Sequence, residues 1–254
     1  MKIGMSMKRT YQIALGAALA AFAFSSAASA ASLNLTATIR DFIPNNQVGG
    51  HPDFENNLGD DRGFVSATLG ADGKPVYIGG GGTSTTHGEA LFNQWYNNAP
   101  AASIILAANE TAPGSGVYTY VNNSYFPLGL ANFGFTTEIK TMFTYQGGET
   151  FSFTGDDDVF VFINNKLVID LGGVHASQSA SVNLDDLALT LGDNYSLAIF
   201  HAERHTSQSN FAFTTSAELV DVSQTPLPGA LPLFATGLGA LGFIAHRRKR
   251  KQSA

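Results

Sequence analysis

Three consecutive aspartates, Asp156, Asp157 and Asp158, are the residues of this chain most suited to chemistry. They follow an alternating segment that contains Phe151 and Phe153, so we expect them at the end of a β-strand. Adjacent carboxylates repel each other by about 4 kcal/mol per close pair at an effective dielectric of ~20. A bound cation or full exposure would relieve this repulsion, and hard oxygen ligands favour calcium. From spacing alone, a solvated acidic turn is the alternative.

A second polar group, His201, Glu203 and His205, alternates along the chain. On a β-strand these side chains point to one face, and two imidazoles with one carboxylate suit zinc or another transition metal. The alternative is that Arg204 and the histidines are structural or lie at the rim of a site. His175 is a further histidine at a loop edge, and the sequence does not show which cluster it approaches.

Catalysis by a nucleophilic side chain has little support in the sequence. The chain has no cysteine and no Gly-x-Ser-x-Gly elbow. Glycosidase chemistry needs two separated carboxylates, but the acid of such a pair usually lies in an apolar cleft that raises its pKa. The triple-aspartate turn differs from that environment, so we expect a protein that is not an enzyme.

The charge distribution favours cations as partners of the central region. Of 14 Lys and Arg residues only six lie within residues 31–224, whereas all 20 Asp and Glu residues lie from Asp41 to Asp221. Six cations against 20 anions give this region a net charge of −14. Nucleic acid and anionic lipid are poor partners, because binding either requires surface cations. The absence of cysteine also excludes zinc sites built on thiolates.

Alternating hydrophobicity predicts an all-β fold with frequent turns. Asn164 and Asn165 separate two apolar runs and predict a two-residue hairpin turn, since asparagine tolerates positive φ. One short helix is expected where Thr86 and Glu89 form a capping box. Residues 45–86 are rich in Gly, Asn and Asp and predict long loops. The alternating segments are residues 33–39, 151–153, 195–199 and 211–215.

The two ends of the chain have the composition of targeting segments. Residues 1–30 combine early cations, an apolar stretch and a small-residue cleavage site, which is typical of a secretory signal peptide. Residues 230–246 are apolar and at the short end of membrane-spanning length, and residues 247–254 are a basic tail that includes Arg247 and Arg248. The tail would be cytoplasmic by the positive-inside rule.

Residues 223–229 link the central region to this membrane helix and contain Pro226, Leu227 and Pro228. This linker, the apolar helix and the basic tail together resemble a PEP-CTERM sorting signal, with Leu227 where the motif has Glu. The resemblance implies cleavage near the Pro-Leu-Pro motif by an exosortase. It also implies delivery from the inner membrane of a Gram-negative bacterium to the cell envelope or extracellular matrix.

The central region resembles the fibro-slime domain over nearly all of residues 35–220. Phe160 stands where that family typically has Trp, and Asn165 where it has Gly; both changes keep the strand–turn–strand pattern. The matching segments are residues 38–42, 51–55, 132–136, 148–151, 153–175 and 202–206.

The fibro-slime domain is similar to the protective-antigen-type (PA14) class, which is a β-sandwich. In lectin-like members of that class, two adjacent aspartates joined by a cis peptide bind calcium, which in turn holds sugar hydroxyls. Alignment on the predicted hairpin places this pair at Asp156 and Asp157, and Glu203 lies roughly where a second loop adds a ligand. His175, His201 and His205 are candidate ligand-binding residues near this site.

We therefore predict an all-β, antiparallel β-sandwich over residues 31–222 with one short helix, a signal-peptide helix and a C-terminal transmembrane helix. The resemblance implies calcium-dependent binding of an extracellular polysaccharide or other glycan. A structural matrix protein, in which calcium only rigidifies a loop, is the second alternative, and a glycan-active enzyme is the third.

Overall fold

The computed structural model describes residues 30–221, apart from residues 56, 130 and 131. The predicted signal peptide up to residue 29, the linker, the membrane helix and the basic tail lie outside the described residues. Within the described part of the chain, no helix is both long enough and apolar enough to cross a membrane.

The described residues form strands joined by loops, with one α-helix and one short 3₁₀ turn at Leu184–Leu187. The helix α1 spans Glu89–Asn97. The strands are β1 Ser32–Asp41, β2 Gly59–Asp60, β3 Ala102–Glu110, β4 Tyr118–Asn122, β5 Phe135–Thr144, β6 Thr150–Gly155, β7 Asp158–Ile163, β8 Lys166–Leu171, β9 Gly173–Val174, β10 Gln178–Asn183, β11 Asn194–Glu203, β12 Phe211–Thr215 and β13 Val220–Asp221.

The main strands form one continuous antiparallel sheet in the order β10-β6-β12-β4-β3-β1-β5-β11-β7-β8, and β13 pairs with β5. The strands at the two ends of this order, β10 and β8, also contact each other, so the sheet is nearly closed. The prediction of an all-β antiparallel fold is confirmed. The two layers are halves of one curved sheet, whereas the sandwich prediction implied separate sheets; β2 and β9 form a small additional pair.

The interior of the curved sheet is an aromatic core. The strands place alternate residues inside, because successive side chains of a strand point to opposite faces. Phe151 and Phe153 of β6 and Phe211 and Phe213 of β12 are all buried in it. The rings of Phe153 and Phe211 meet edge to face at 4.8 Å, and each buried Phe stabilises the fold by about 1.5–3 kcal/mol.

A second core lies on the outer face of β7 and β11. Strand β7 is buried along its whole length, which explains its uninterrupted apolar sequence. Its Val residues face the inner core, while Phe160 and Phe162 join the second core. Helix α1 covers them with Phe92, Trp95 and Tyr96. This arrangement fixes α1 against the strand that begins at the aspartate cluster.

The predicted capping box is wrong, although the helix is found where it was expected. Gly88 occupies the N-cap with φ 97°, and no side chain caps the helix. Thr86 is buried, and its hydroxyl bonds instead to the Tyr77 hydroxyl and to Thr83, each at 2.7 Å. A tertiary contact therefore replaces the local cap.

The predicted hairpin turn between β7 and β8 is confirmed. Asn164 and Asn165 both have positive φ, of 50° and 62°. Two consecutive residues in this region match the twist of the flanking strands, and asparagine tolerates the conformation at low cost. The turn is also fixed by the Leu69 N–H, which donates to the Asn165 carbonyl at 3.2 Å.

Replacement of Asn165 should report the cost of this turn. We expect Asn165→Val to lower the free energy of unfolding by about 1–2 kcal/mol, because a β-branched residue resists positive φ. Asn165→Gly should retain or raise it, since glycine adopts this conformation freely. Urea unfolding of both variants checks the prediction, and equal stabilities of the two would contradict it.

Candidate functional site

Asp156 and Asp157 lie where the chain crosses from one half of the sheet to the other. Strand β6 ends at Gly155 and pairs with β10 and β12, whereas β7 begins at Asp158 and pairs with β8 and β11. The peptide bond between Asp156 and Asp157 is cis, as the resemblance to the lectin-like domains implies.

The carboxylates of Asp156 and Asp157 hold two neighbouring loops. Asp156 accepts hydrogen bonds from the backbone N–H and from the Nδ2 amide of Asn210, the latter at 2.7 Å. Asp157 Oδ1 accepts from the His175 N–H at 3.1 Å, and Oδ2 accepts from the Arg204 N–H at 2.9 Å. The pair therefore fixes the β9–β10 connection and the β11–β12 loop. No local sequence pattern indicates this role of Asn210.

Asp158 has a different role from its two neighbours. Its carboxylate forms a fully buried ion pair with Arg204, with Nε–Oδ2 at 2.6 Å and Nη2–Oδ1 at 3.0 Å. The Gly173 N–H donates to Oδ1 at 2.7 Å. The expectation that all three aspartates need a bound cation or solvent is therefore corrected, because an arginine already balances the charge of Asp158.

Arg204 connects this site to the second core. Its Nη1 donates to the carbonyl oxygens of Asp53 at 3.0 Å and Thr85 at 2.7 Å. Its guanidinium lies 4.6 Å from the centre of the Trp95 ring, a distance that gives a favourable cation–π contact. Asp53 Oδ2 in turn accepts from Trp95 Nε1 at 3.0 Å. From the sequence, Arg204 is expected only as a structural alternative, and Asp53 appears only within the matching segment 51–55 without a role of its own.

Glu203 is the least compensated carboxylate of the site. It is 1% exposed, and no group among the described residues bonds to its Oε2. Burial, followed by the charge of Asp157, raises the pKa of Glu203 to about 11. Burial also raises the pKa of Asp157 to about 8, with the charge of Asp158 adding to it and Arg204 opposing it. Each carboxylate is thus destabilised in its charged form by burial and by its neighbours.

The three histidines occupy different positions relative to these carboxylates. His201 is fully buried, and its Nε2 lies 2.8 Å from the Asp156 carbonyl oxygen. Burial lowers the pKa of His201 to about 4, so the ring is neutral. A ligand in solvent therefore does not reach His201. His205 lies beyond the end of β11, so the expected single-face arrangement of His201, Glu203 and His205 does not form.

Metal-ligand geometry is likewise incomplete. Within the part of the chain that the structure describes, no group of three or more His, Asp or Glu side chains is arranged to hold a metal ion. Two contacts explain this result: Asp158 is paired with Arg204, and Asp156 is bonded to Asn210. Asp157 and Glu203 are then the carboxylates that lack such a charged or bidentate partner.

Asp157 opens onto a cleft of about 520 Å³. His175 and His205, both half-buried, lie on its wall, and Leu58 forms an apolar part of the rim with 66% of its surface exposed. The other lining residues are small or polar: Gly59, Asp60, Val174, Ala176, Ser177, Gln178, Ser207 and Gln208. The cleft thus presents amides, hydroxyls and carboxylates beside one apolar side chain.

The family model for the PA14 domain matches residues 89–226, which is more than half of the 254-residue chain. The chain belongs to the PA14 domain family. This match confirms the resemblance to the protective-antigen-type class, whereas the signal peptide and the sorting tail stay predictions.

The chain is related to psi proteins of Dictyostelium discoideum. Protein psiR is 38% identical over 212 residues, which cover 71% of this chain and 21% of the relative. Protein psiC is 34% identical over 220 residues, which cover 74% of this chain and 42% of the relative. The chain thus spans between about a fifth and two-fifths of the length of these curated relatives.

Solved structures with a similar arrangement include a PA14 sugar-binding domain from an RTX adhesin. It has a TM-score of 0.38 and 9% identity, and the match covers 74% of this chain and 95% of that chain. The Epithelial Adhesin 9 A domain from Candida glabrata, solved in complex with Galb1-3GlcNAc, has a TM-score of 0.36 and 11% identity. That match covers 76% of this chain and 92% of the adhesin domain. Similarity at these scores carries no argument about the chemistry of the site.

Removal of the Arg204 side chain should destabilise the whole domain. Arg204→Met leaves Asp158 buried without its counter-charge, so we expect the free energy of unfolding to fall by about 3–5 kcal/mol. Lys166→Met is the matched control, because Lys166 is exposed and its replacement should cost less than about 0.5 kcal/mol. Urea unfolding measures both, and a small equal loss in the two variants would contradict the role of the ion pair.

The raised pKa values of Asp157 and Glu203 predict a pH dependence of stability. The folded domain holds these protons more strongly than the unfolded chain, so the stability that these two groups contribute is greatest at low pH and is lost as the pH rises through their folded pKa values. Between about pH 7 and 9, where ordinary carboxyl and histidine titration is complete, we expect the calcium-free domain to lose on the order of 1 kcal/mol per pH unit.

Glu203→Gln should flatten this decline, because glutamine has no proton to lose. Glu89→Gln, on the exposed side of α1, is the matched control and should leave the slope unchanged. Thermal unfolding in chelator across this pH range checks the prediction. A wild-type domain whose stability rises from pH 7 to 9 would contradict it.

Proposed function

We propose that the cleft beside Asp157 binds calcium and, through it, the hydroxyl groups of an extracellular glycan. The observation that carries this proposal is an excess of uncompensated carboxylate charge beside an open cleft. Asp157 and Glu203 are buried carboxylates with raised pKa values, Glu203 has an unpartnered oxygen, and Asp157 opens onto a 520 Å³ cleft. A divalent cation at this position would balance their charge.

The residues present fit calcium better than a transition metal. Calcium takes six to eight oxygen ligands, which include carboxylates, backbone carbonyls and water. Asp157 uses one hydrogen bond on each oxygen, so each oxygen has a further lone pair, and Glu203 Oε2 has no hydrogen-bond partner among the described residues. Asp156 would complete the pair that the family resemblance implies. Among the histidines, His201 is enclosed in the core, and both ring nitrogens of His175 lie within hydrogen-bond distance of backbone carbonyl oxygens, of Ala176 and Leu171.

The small number of protein ligands favours a role in binding over a purely structural role. A structural calcium site is usually closed by protein oxygens, whereas this one lacks a third free carboxylate among the described residues. Ligand hydroxyls would supply the missing oxygens. The cleft volume of about 520 Å³ suits a small glycan, and its serine and glutamine residues offer hydrogen bonds to hydroxyl groups.

The second candidate is a matrix protein in which calcium only rigidifies the loops. The position of Glu203 favours this alternative, because Glu203 is 1% exposed and is not among the residues that line the cleft. Binding and rigidification are compatible, since one cation could fix the β11–β12 loop and also hold a ligand at Asp157. We propose binding over catalysis, because Arg204 and Asn210 engage two of the three clustered aspartates.

The place of action is proposed from the sequence pattern of the chain ends. We propose that the domain is secreted by a Gram-negative bacterium, held briefly in the inner membrane by residues 230–246, and released to the envelope or matrix by an exosortase. Mass spectrometry of the protein from its own host tests this proposal. Intact peptides beyond residue 230 from most of the surface protein would refute processing.

Calcium should stabilise the isolated domain over residues 31–222. With a dissociation constant of about 0.1–1 mM, as in extracellular modules, ~1 mM calcium adds roughly 0.4–1.4 kcal/mol to the free energy of unfolding. Asp157→Asn should abolish this gain, whereas Asp193→Asn, an exposed acid elsewhere, should retain it. Thermal unfolding with calcium and with chelator measures the gain, and equal midpoints for the wild type would remove the calcium proposal.

A glycan array probed with and without calcium tests the function itself. We expect binding to a restricted set of glycans in calcium, with loss of signal in chelator and in Asp157→Asn. Calcium-dependent stabilisation without any glycan signal would instead support the structural alternative. Glycan binding that is unchanged by chelator would contradict the proposed role of the cation.

A further inference from the structure

A second cleft lies at the opposite end of the sheet from Asp157. Strand β6 runs between the two clefts, because Glu149 precedes it and Asp156 follows it. Six residues of extended strand span about 20 Å. The second cleft has a volume of about 630 Å³, so it is at least as large as the first.

Three separate parts of the chain build this cleft, and their side chains are acidic or neutral. The lining contains two carboxylates, from Glu149 and Glu218, and no Lys, Arg or His. The other lining residues are Ser115, Gly116, Tyr118, Thr144, Gln146, Gly147, Gly148, Ser216 and Val220. Such a surface offers hydrogen-bond acceptors and hydroxyl groups to a ligand and attracts positive charge.

The side chain of Glu149 lacks a hydrogen-bond donor. Glu149 is only 6% exposed, and its Oε1 accepts a hydrogen bond from the Gln146 N–H at 2.5 Å. Its Oε2 has no partner among the described residues. A buried carboxylate oxygen without a donor is unfavourable, so a charged donor in the cleft would relieve a cost that the protein carries alone.

The electrostatic potential in the cleft is negative, which also favours a positively charged ligand. Burial, then the charges of Glu110 and Glu218, raises the pKa of Tyr118, which lines the wall of the cleft. Both oxygens of Glu110 are already used, by the N–H groups of Gly116 and Ala31. Glu149 and Glu218 are therefore the carboxylates that face a ligand.

A metal ion alone suits this cleft less well than a larger cation. The part of the chain that the structure describes has no group of three or more His, Asp or Glu side chains arranged for a metal, and about 630 Å³ is far more space than an ion needs. An aromatic ring beside carboxylates and hydroxyls matches a ligand that carries an ammonium group on a hydroxylated ring.

We propose that this second cleft binds amino sugar units that carry a free ammonium group, through Glu149 and Glu218, with the sugar ring against Tyr118. The ammonium group supplies the donor that Glu149 Oε2 lacks, and the serine and glutamine side chains take the ring hydroxyls. The site is independent of the calcium proposal, because it shares no residue with the cleft at Asp157. Two clefts at opposite ends would allow one domain to bridge two polymer chains.

Calorimetric titration of the domain with a glucosamine trisaccharide in chelator tests the proposal. The fully N-acetylated trisaccharide is the matched ligand, because acetylation removes the charge and leaves the ring and its hydroxyls. We expect the amine form to bind at least roughly tenfold more tightly, the usual effect of losing a charged hydrogen bond. Its binding should also weaken as the pH rises and the ammonium loses its proton.

Two variants and two controls locate the binding. Glu149→Gln keeps an oxygen for the Gln146 N–H, and it and Glu218→Gln should each weaken binding roughly tenfold. Glu89→Gln and Asp157→Asn should leave binding of the amine trisaccharide unchanged. Because Asp157 belongs to the first cleft, this outcome distinguishes failure of the amino-sugar proposal from failure of the calcium proposal. If Glu149→Gln does not fold, the exposed Glu218→Gln decides alone. Equal binding of both trisaccharides, no binding of the amine, or unchanged binding in Glu218→Gln would overturn the proposal.

Discussion

The ion pair between Arg204 and Asp158 is the interaction on which the rest of the structure depends. Both side chains are fully buried, and a lone buried charge at this position would be costly. Arg204 offsets that cost through Asp158, through two backbone carbonyls and through the Trp95 ring. These contacts tie the start of β7 to the loops and helix of the second core. The backbone N–H of Arg204 also donates to Asp157, so Arg204 contacts both the second core and the cleft.

The same pair determines which carboxylates are left for a ligand. Asp158 is neutralised by Arg204, and Asp156 is held by Asn210. Asp157 and Glu203 receive no such partner, and burial raises the pKa of each. The domain as a whole has few cations, so it has little capacity to neutralise further acids from within. The charge imbalance at the cleft therefore follows from the composition of the chain as well as from its fold.

Local patterns predicted much of this fold, and long-range contacts account for what they missed. Alternation located β6 and β11, and two asparagines located the β7–β8 turn, because both signals depend on neighbouring residues. The partners of Arg204 lie 46 and 151 residues away, so no spacing rule connects them. Tertiary contacts also explain two wrong expectations. Thr86 bonds to Tyr77 and does not cap the helix, and His201 is buried in the core. The one available signal was Arg204 itself, because a single arginine beside a strand end, in a region with few cations, suggests a buried ion pair.

The most direct test of a cation at this cleft is diffraction from crystals of the domain grown with calcium and then with a lanthanide, whose anomalous signal marks its position. We expect one strong anomalous peak beside the Asp157 carboxylate, within coordinating distance of Asp156 or Glu203, and none at Asp158. The peak should persist when a bound glycan occupies the cleft. No peak at the Asp157 cleft, or a peak that lies only on exposed surface carboxylates, would contradict calcium binding at this cleft.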